Sequence, residues 1–145
     1  MRYTMTVKEI MHESTVLDPK MSILDASKIM KEKDIGSILI KVNDTDYGIV
    51  TERDILYKVI ARELDPKTTS IENIMTNLIY TIDSNDSIQK ASEIFNIHHI
   101  RRLPVMEKDK LIGMITTRDV AKRCVFRFYK RMYEHSRDKS HKGWR

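Results

Sequence analysis

The sequence predicts a mixed α+β, sandwich-like fold: two tandem copies of one β-α-β-β-α unit, followed by a basic helical extension. Three observations carry that expectation. Gly-Ile-Val-Thr-Glu-Arg-Asp at 48–54 returns as Gly-Met-Ile-Thr-Thr-Arg-Asp at 113–119, an offset of 65 residues. The same offset carries Ala26-Ser27 onto Ala91-Ser92, Ile29 onto Ile94, Ile35 onto Ile100 and Asp18 onto Asp83. Glu9-Ile10-Met11 meets Asn73-Ile74-Met75 at an offset of 64, so one residue is gained between Met75 and Thr81. A repeat of this length defines the architecture before local propensity is consulted.

Each copy opens with a short helical turn, at about Val7 to Met11 and Ile71 to Met75, and a brief β-branched strand near Thr15-Val16-Leu17 or Tyr80-Thr81-Ile82. A helix follows. Ser22 and Ser87 are placed to cap it, and Ile23, Ala26, Ile29 and Met30, like Ile88, Ala91, Ile94 and Phe95, recur at the spacing of one buried face. A hairpin comes next: Ser37 to Val42 and Tyr47 to Thr51 flank the turn 43–46, and Leu103 to Met106 and Leu111 to Thr116 flank 107–110. A second helix starts at Thr51 or Thr116. The divisions expected are 5–64 and 70–125 for the two copies, 65–69 for a linker, and 126–145 for the basic extension and tail. A linker of five residues holds the copies close, so they should pack together.

The 145 residues are 41% hydrophobic and 32% charged, enough to bury a core without metal or disulfide staples. One cysteine, Cys124, excludes a disulfide scaffold and fits a cytoplasmic protein. No stretch approaches a membrane span, and Met1 to Met11 lacks the apolar run of a signal peptide. The net charge of +5 is unevenly placed: residues 121–145 hold nine Lys or Arg against two acids, net +7, which leaves 17 against 19, or −2, for residues 1–120. His98 and His99 are adjacent and cannot share a face, and no zinc-like spacing, phosphate-cradling glycine loop or nucleophile motif is present. Cys124 reads as a small apolar residue on a helix face.

The closing motif carries the candidate chemistry. Gly48 or Gly113 lies inside a strand, where a missing side chain marks the approach of a ligand or another backbone. Thr51 or Thr116 stands where strand becomes helix, beside free N–H groups and a positive dipole that favour a phosphate. Asp54 or Asp119 is one turn further and can accept from both hydroxyls of a ribose. The same spacing is also what plain helix capping looks like, and the two roles can coexist. Arg101, Arg102 and Arg118 give copy two guanidinium forks suited to phosphate oxygens; copy one has Gly36-Ser37 at the first two positions and keeps Arg53. The plain alternative is that the arginines are solvated surface charges.

This pattern resembles the cystathionine-β-synthase (CBS) domain family over about residues 5–125. Its carriers are Ile10-Met11 and Ile74-Met75, Ile100-Arg101-Arg102-Leu103-Pro104-Val105, and the duplicated Gly-x-x-Thr-x-x-Asp. The resemblance implies two domains packed side by side as a pseudo-twofold pair. It also implies a regulatory, energy-sensing module rather than a catalyst, with no required cofactor, taking AMP, ADP, ATP or S-adenosylmethionine as regulatory ligand in clefts between the domains. On it rest the site assignments Thr51, Asp54, Thr116 and Asp119 for ribose or phosphate and Arg53, Arg118, Arg101 and Arg102 for phosphate; Thr15, Ser37, Thr81 and Pro104 complete the ligand-binding set, and Val16, Ile38 and Ile82 are suited to sandwich an adenine. Val16, Ile38 and Ile82 equally suit a core. Copy one departs from the pattern with Leu39 where copy two has Pro104. The site using the basic edge of copy two is expected to bind phosphorylated nucleotides more tightly than the other.

From Val120 the last helix continues past the point where its counterpart ends, with Val120, Ala121, Cys124, Val125, Phe128, Tyr129 and Met132 on one stripe. The resemblance implies a homodimer through such helices and an effector protein of unknown identity. Residues 134–145 are polar and expected to fray. The alternative function is a nucleic-acid or anionic-surface binder that grips phosphate through residues 122–145, aided by Tyr129, Tyr133 or Trp144, with the pair as dimerising scaffold.

Overall fold

Short, polar-capped helices alternate with apolar strands along the chain, and in the computed structural model they assemble around two cores. The backbone is described for residues 4–140 and the side chains for residues 4–132. In order, the elements are β1 Val16–Leu17, α1 Ile23–Lys33, β2 Ser37–Lys41, β3 Tyr47–Thr51, α2 Glu52–Ile55, β4 Thr76–Leu78, β5 Ile82–Asp83, α3 Ile88–His98, β6 Arg102–Glu107, β7 Lys110–Thr116 and α4 Thr117–Ser140. Single 3-10 turns stand at Val7–Glu9 and Ile71–Asn73, and α2 runs on as a π-helical turn over Leu56–Ile60. Ser22 and Ser87 do cap α1 and α3: their hydroxyls accept from the N–H of Asp25 at 3.1 Å and of Lys90 at 3.2 Å. Both helices end on a left-handed residue, Asp34 and His99, types that tolerate this conformation.

The two copies exchange their opening segments. One sheet has the order β1-β2-β3-β4, so the strand β4, which follows the opening turn of copy two, completes the sheet of copy one. The other sheet is β5-β6-β7 and receives the opening segment of copy one through a bridge between His12 and Met114. The cores follow suit. Ile71, Ile74 and Met75 pack with Ile23, Ile38, Val50 and Val59, while Val7, Ile10 and Met11 pack with Ile82, Phe95, Leu103 and Ile115. A third cluster, Leu39, Ile49 and Met114 with Leu78 and Leu111, joins the two sheets. The pair is thus the expected pseudo-twofold CBS arrangement, with each core sealed by the other copy's first turn.

Two local details differ from expectation, both in copy two. The second hairpin turns on two residues, Lys108 and Asp109, both with positive φ (48° and 61°), so β6 and β7 each extend further than the alternation suggests; left-handed pairs make the tight turn whose twist matches the strands. The first hairpin instead uses a longer loop in which the side-chain oxygen of Asn43 accepts from the N–H groups of Thr45 and Asp46. Finally, α4 is helical to Ser140 rather than ending near Tyr133, and no Gly or Pro interrupts it before Gly143. Gly143 and Trp144 lie outside the described residues, as do the side chains from Tyr133 onward.

Candidate functional site

Each closing motif is folded by its own side chains. Thr51 ends β3 in an extended conformation and caps α2; its N–H and hydroxyl both donate to Asp54 Oδ2 at 2.9 Å, while its Oγ1 accepts from the Asp54 N–H at 3.2 Å. Thr116 and Asp119 repeat the reciprocal arrangement at 2.8, 2.7 and 3.2 Å. Capping is therefore realised in both copies. The first N–H of each following helix is also engaged, Glu52 with the Gly36 carbonyl at 3.1 Å and Thr117 with that of Arg101 at 3.0 Å. In the first copy the N–H groups of Glu52 and Asp54 are both engaged within the protein, so two of the donors at the start of α2 are already used.

The surroundings of the two aspartates differ. The Lys58 ammonium lies 2.8 Å from Asp54 Oδ1 and also donates to the Ile74 carbonyl at 2.8 Å, tying the closing helix to the exchanged segment. Partial burial pushes the Asp54 carboxyl up, but the hydrogen bonds from Lys58 and Thr51 outweigh it and hold the group below the ordinary carboxylate range. At Asp119 the neighbour is His12 of the exchanged segment, Nδ1 to Oδ2 at 3.2 Å.

A cleft of about 750 Å³ opens in front of Thr51 and is walled by both copies. Copy one supplies Gly36, Ile49, Thr51, Glu52, Arg53 and Asp54; the exchanged segment supplies Thr76 to Tyr80; copy two supplies His98 to Arg102. Tyr80 and His98 stack with centroids 3.8 Å apart and planes at 21°, and the Arg53 guanidinium lies over the Tyr57 ring at 5.0 Å. Arg101 and Arg102 of copy two thus line the same cleft as the threonine–aspartate pair of copy one. Repeat arithmetic aligns equivalent positions but does not say which copy faces which cleft.

Of the expected site residues, Thr51, Arg53, Asp54, Arg101 and Arg102 line this cleft. Thr116, Arg118 and Asp119 belong to the second closing turn. Ile38 and Ile82 are buried in the two cores, Pro104 is buried in β6 opposite Met114, and Val16 is exposed on β1. Thr15 accepts from the Leu39 N–H through its carbonyl at 2.8 Å and from the Lys33 ammonium through its hydroxyl oxygen at 3.3 Å; Leu39 keeps the strand donor that Pro104 lacks. Ser37 is half-buried at the start of β2, and Thr81 is exposed before β5. The sequence reading missed Ile79, Tyr80 and His98. Its one clue was the residue gained between Met75 and Thr81, which falls on this wall.

The motif glycines serve the exchange rather than a ligand. A Cβ on Gly113 would lie 2.5 Å from the His12 carbonyl oxygen, and one on Gly48 would lie 2.5 Å from the Met75 sulfur. Of the two approaches that a strand glycine permits, that of the other copy's segment is the one present.

The CBS-domain family profile matches twice, at residues 7–61 and 71–125, and the chain belongs to the CBS-domain family. Among curated proteins it is similar to Hypoxic response protein 1 of Mycobacterium tuberculosis, 34% identical over 119 residues, covering 81% of this chain and 83% of that one. Among solved structures it is similar to the hexameric CBS-CP12 protein from bloom-forming cyanobacteria, with 32% identity and TM-score 0.74 over 82% of this chain and 67% of that one. The CBS domain pair of protein MJ0100, solved with 5′-methylthioadenosine and S-adenosyl-L-methionine, shares the fold at 23% identity and TM-score 0.72, over 86% and 98% of the two chains. Among the described residues no helix is long and apolar enough to cross a membrane, and no cluster of side chains fits a metal ion.

Proposed function

We propose that the chain is a non-catalytic regulatory module that takes a phosphorylated adenine nucleotide in the Thr51–Asp54 cleft and passes occupancy to a separate effector protein. The carrying observation is the wall composition: Thr51, Arg53 and Asp54 of one copy open onto the same space as Arg101 and Arg102 of the other. Asp54, held ionised, accepts from the ribose hydroxyls; the guanidinium forks take phosphate oxygens; the Tyr80–His98 pair offers an aromatic face for the base. A ligand bound this way touches both copies and so favours one relative arrangement of the pair, which is how occupancy becomes a signal. The adenosyl ligands held by the MJ0100 pair support the adenosine part of this reading; the phosphate part rests on the arginines alone.

Leu56, Tyr57 and Ile60 leave more than half their surface exposed along the helical segment after Thr51, an apolar face suited to a second copy. The hexameric CBS-CP12 protein supports self-association in general; the homodimer is our reading for this chain, and light scattering tests it.

A thermal-shift panel of AMP, ADP, ATP and S-adenosylmethionine tests the ligand. Saturation at 100 times the dissociation constant adds about 2.7 kcal/mol of stability. A flat panel rejects the sensor reading, and a response to S-adenosylmethionine alone rejects the phosphate assignment.

A further inference from the structure

The carboxylate of the first cleft has little acceptor capacity left for a ribose. An ionised carboxylate offers about four acceptor sites, two on each oxygen. Thr51 fills both on Asp54 Oδ2 with its N–H and its hydroxyl, each at 2.9 Å. The Lys58 ammonium stands on Oδ1 at 2.8 Å, so the one site still open is on that same oxygen. Lys58 directs its other two hydrogens to the exchanged segment, at 2.8 Å from the Ile74 carbonyl oxygen and 3.4 Å from the Thr76 hydroxyl oxygen. Thr76 begins β4, which continues into the cleft wall. All three donors of the ammonium are taken, and together they fasten the closing turn of copy one to the segment from copy two.

The matching turn of copy two is built differently. At the position equivalent to Lys58 stands Arg123, whose guanidinium lies over the Phe126 ring at 5.7 Å. His12 approaches Asp119 at Oδ2, the oxygen that Thr116 already holds. Lys58 also occupies the middle of the π-helical turn Leu56–Ile60, whereas α4 is regular α-helix over the equivalent residues 121–125. A single π turn within a helix commonly accompanies a functional site.

We infer that Lys58 is a positioning residue that competes with the ligand for Asp54 Oδ1, so that a ribose diol displaces it and unfastens the closing turn of copy one from the exchanged segment. The inference rests on the nucleotide reading above and names how occupancy is transmitted. A diol donates two hydrogens and meets one open acceptor site. The bonds from Thr51 cap the turn itself, so Lys58 is the donor that yields. Its side chain is 33% exposed, so water takes up the freed hydrogen while the bonds to Ile74 and Thr76 persist. The turn that loses the tie is the one that exposes Leu56, Tyr57 and Ile60, and a change made at the ribose thereby reaches the apolar face.

The test is calorimetry with ATP and 2′-deoxy-ATP on the full-length parent, Lys58→Met and Arg123→Met. A 2′-deoxyribose donates one hydrogen and is served by the open site, so in the parent the 2′-hydroxyl adds little affinity. With Lys58 removed both hydroxyls have an acceptor, and the preference for ATP over 2′-deoxy-ATP is expected to grow about tenfold, the worth of one hydrogen bond to a charged group. Arg123→Met is expected to keep the preference of the parent. Lys58→Gln, which retains a polar group beside Ile74 and Thr76, is expected to shift the preference in the same direction by a smaller factor, and it replaces the Met variant if that one does not fold. An unchanged preference, including equal weakening of both nucleotides, or a reduced one overturns the inference and leaves the nucleotide reading standing. Binding of neither nucleotide by the parent and the variants rejects that reading, and this inference with it.

Discussion

The two closing motifs have the same fold and different neighbours. Thr51–Asp54 and Thr116–Asp119 make the same three hydrogen bonds to within about 0.2 Å, so the backbone solution to the strand-to-helix turn is common to both. Around that constant unit, Asp54 is clasped by a lysine from its own helix and shares a cleft with Arg101 and Arg102, whereas Asp119 meets a histidine from the exchanged segment. Duplication therefore preserves what makes the turn fold, and divergence is concentrated in what the turn faces. In this pair the cap is structural in both copies, and any difference in ligand binding must come from the facing residues.

The largest expected difference concerns the exchanged segments. Gly113→Ala drives a Cβ against the His12 backbone, which also carries the hydrogen bonds between His12 and Met114 at 2.9 and 3.0 Å. Backbone held at both ends cannot yield, so a loss of about 3 kcal/mol is expected, at the upper end of overpacking costs. Gly48→Ala meets the sulfur of Met75, near the end of a flexible side chain, and should cost about 1 kcal/mol. Denaturant midpoints of the two variants measure the contrast, and equal losses contradict it.

Asp54→Asn and Asp119→Asn come next. Both weaken a capping box, at about 1 kcal/mol, but the first also leaves Lys58, one-third exposed, without its anion, adding about 1 kcal/mol. The pH dependence has a definite sign. Because the folded pKa of Asp54 is lowered, its contribution is complete above the ordinary value of 3.8 and is withdrawn as the pH falls below that value through the folded one. Parent and Asp54→Asn stabilities should therefore converge as acid is added in that range, in urea melts taken across it.

The parts of this arrangement visible in the sequence are those set by short spacing. Ser22 and Ser87 announce their helices, Ile23, Ala26 and Met30 their buried face, and Thr-x-x-Asp its cap, because each depends on residues within one turn of each other. The exchange of opening segments is not of this kind. Ile71 packs with Val50 and Val7 with Ile115, and nothing local in Val7 to Met11 says that its partner is more than a hundred residues away. The same non-local step decides that Arg101 lines one cleft with Thr51, and that His12, unremarkable by spacing, stands beside Asp119.

Ligand binding sharpens the comparison of the two motifs. Arg102→Ala is expected to weaken ATP or AMP binding about tenfold, the worth of one charge-assisted hydrogen bond to phosphate. Asp119→Asn, on the other turn, should leave that affinity within about twofold. Calorimetry on both variants reads the contrast. Tight binding retained in Arg102→Ala together with loss in Asp119→Asn transfers the nucleotide to the second motif.

The smallest expected effect is that of His12→Ala. Its imidazole is about half exposed and is charged only when protonated, so the side-chain contact with Asp119 is a surface pair worth no more than about 0.5 kcal/mol. The segment itself is held by the backbone bridge to Met114 and by the burial of Val7, neither of which the substitution touches. A melting temperature close to that of the parent is expected. A loss as large as that of Gly113→Ala means instead that the imidazole, and not the backbone, holds the exchanged segment in place, and that the glycine's role has been misassigned.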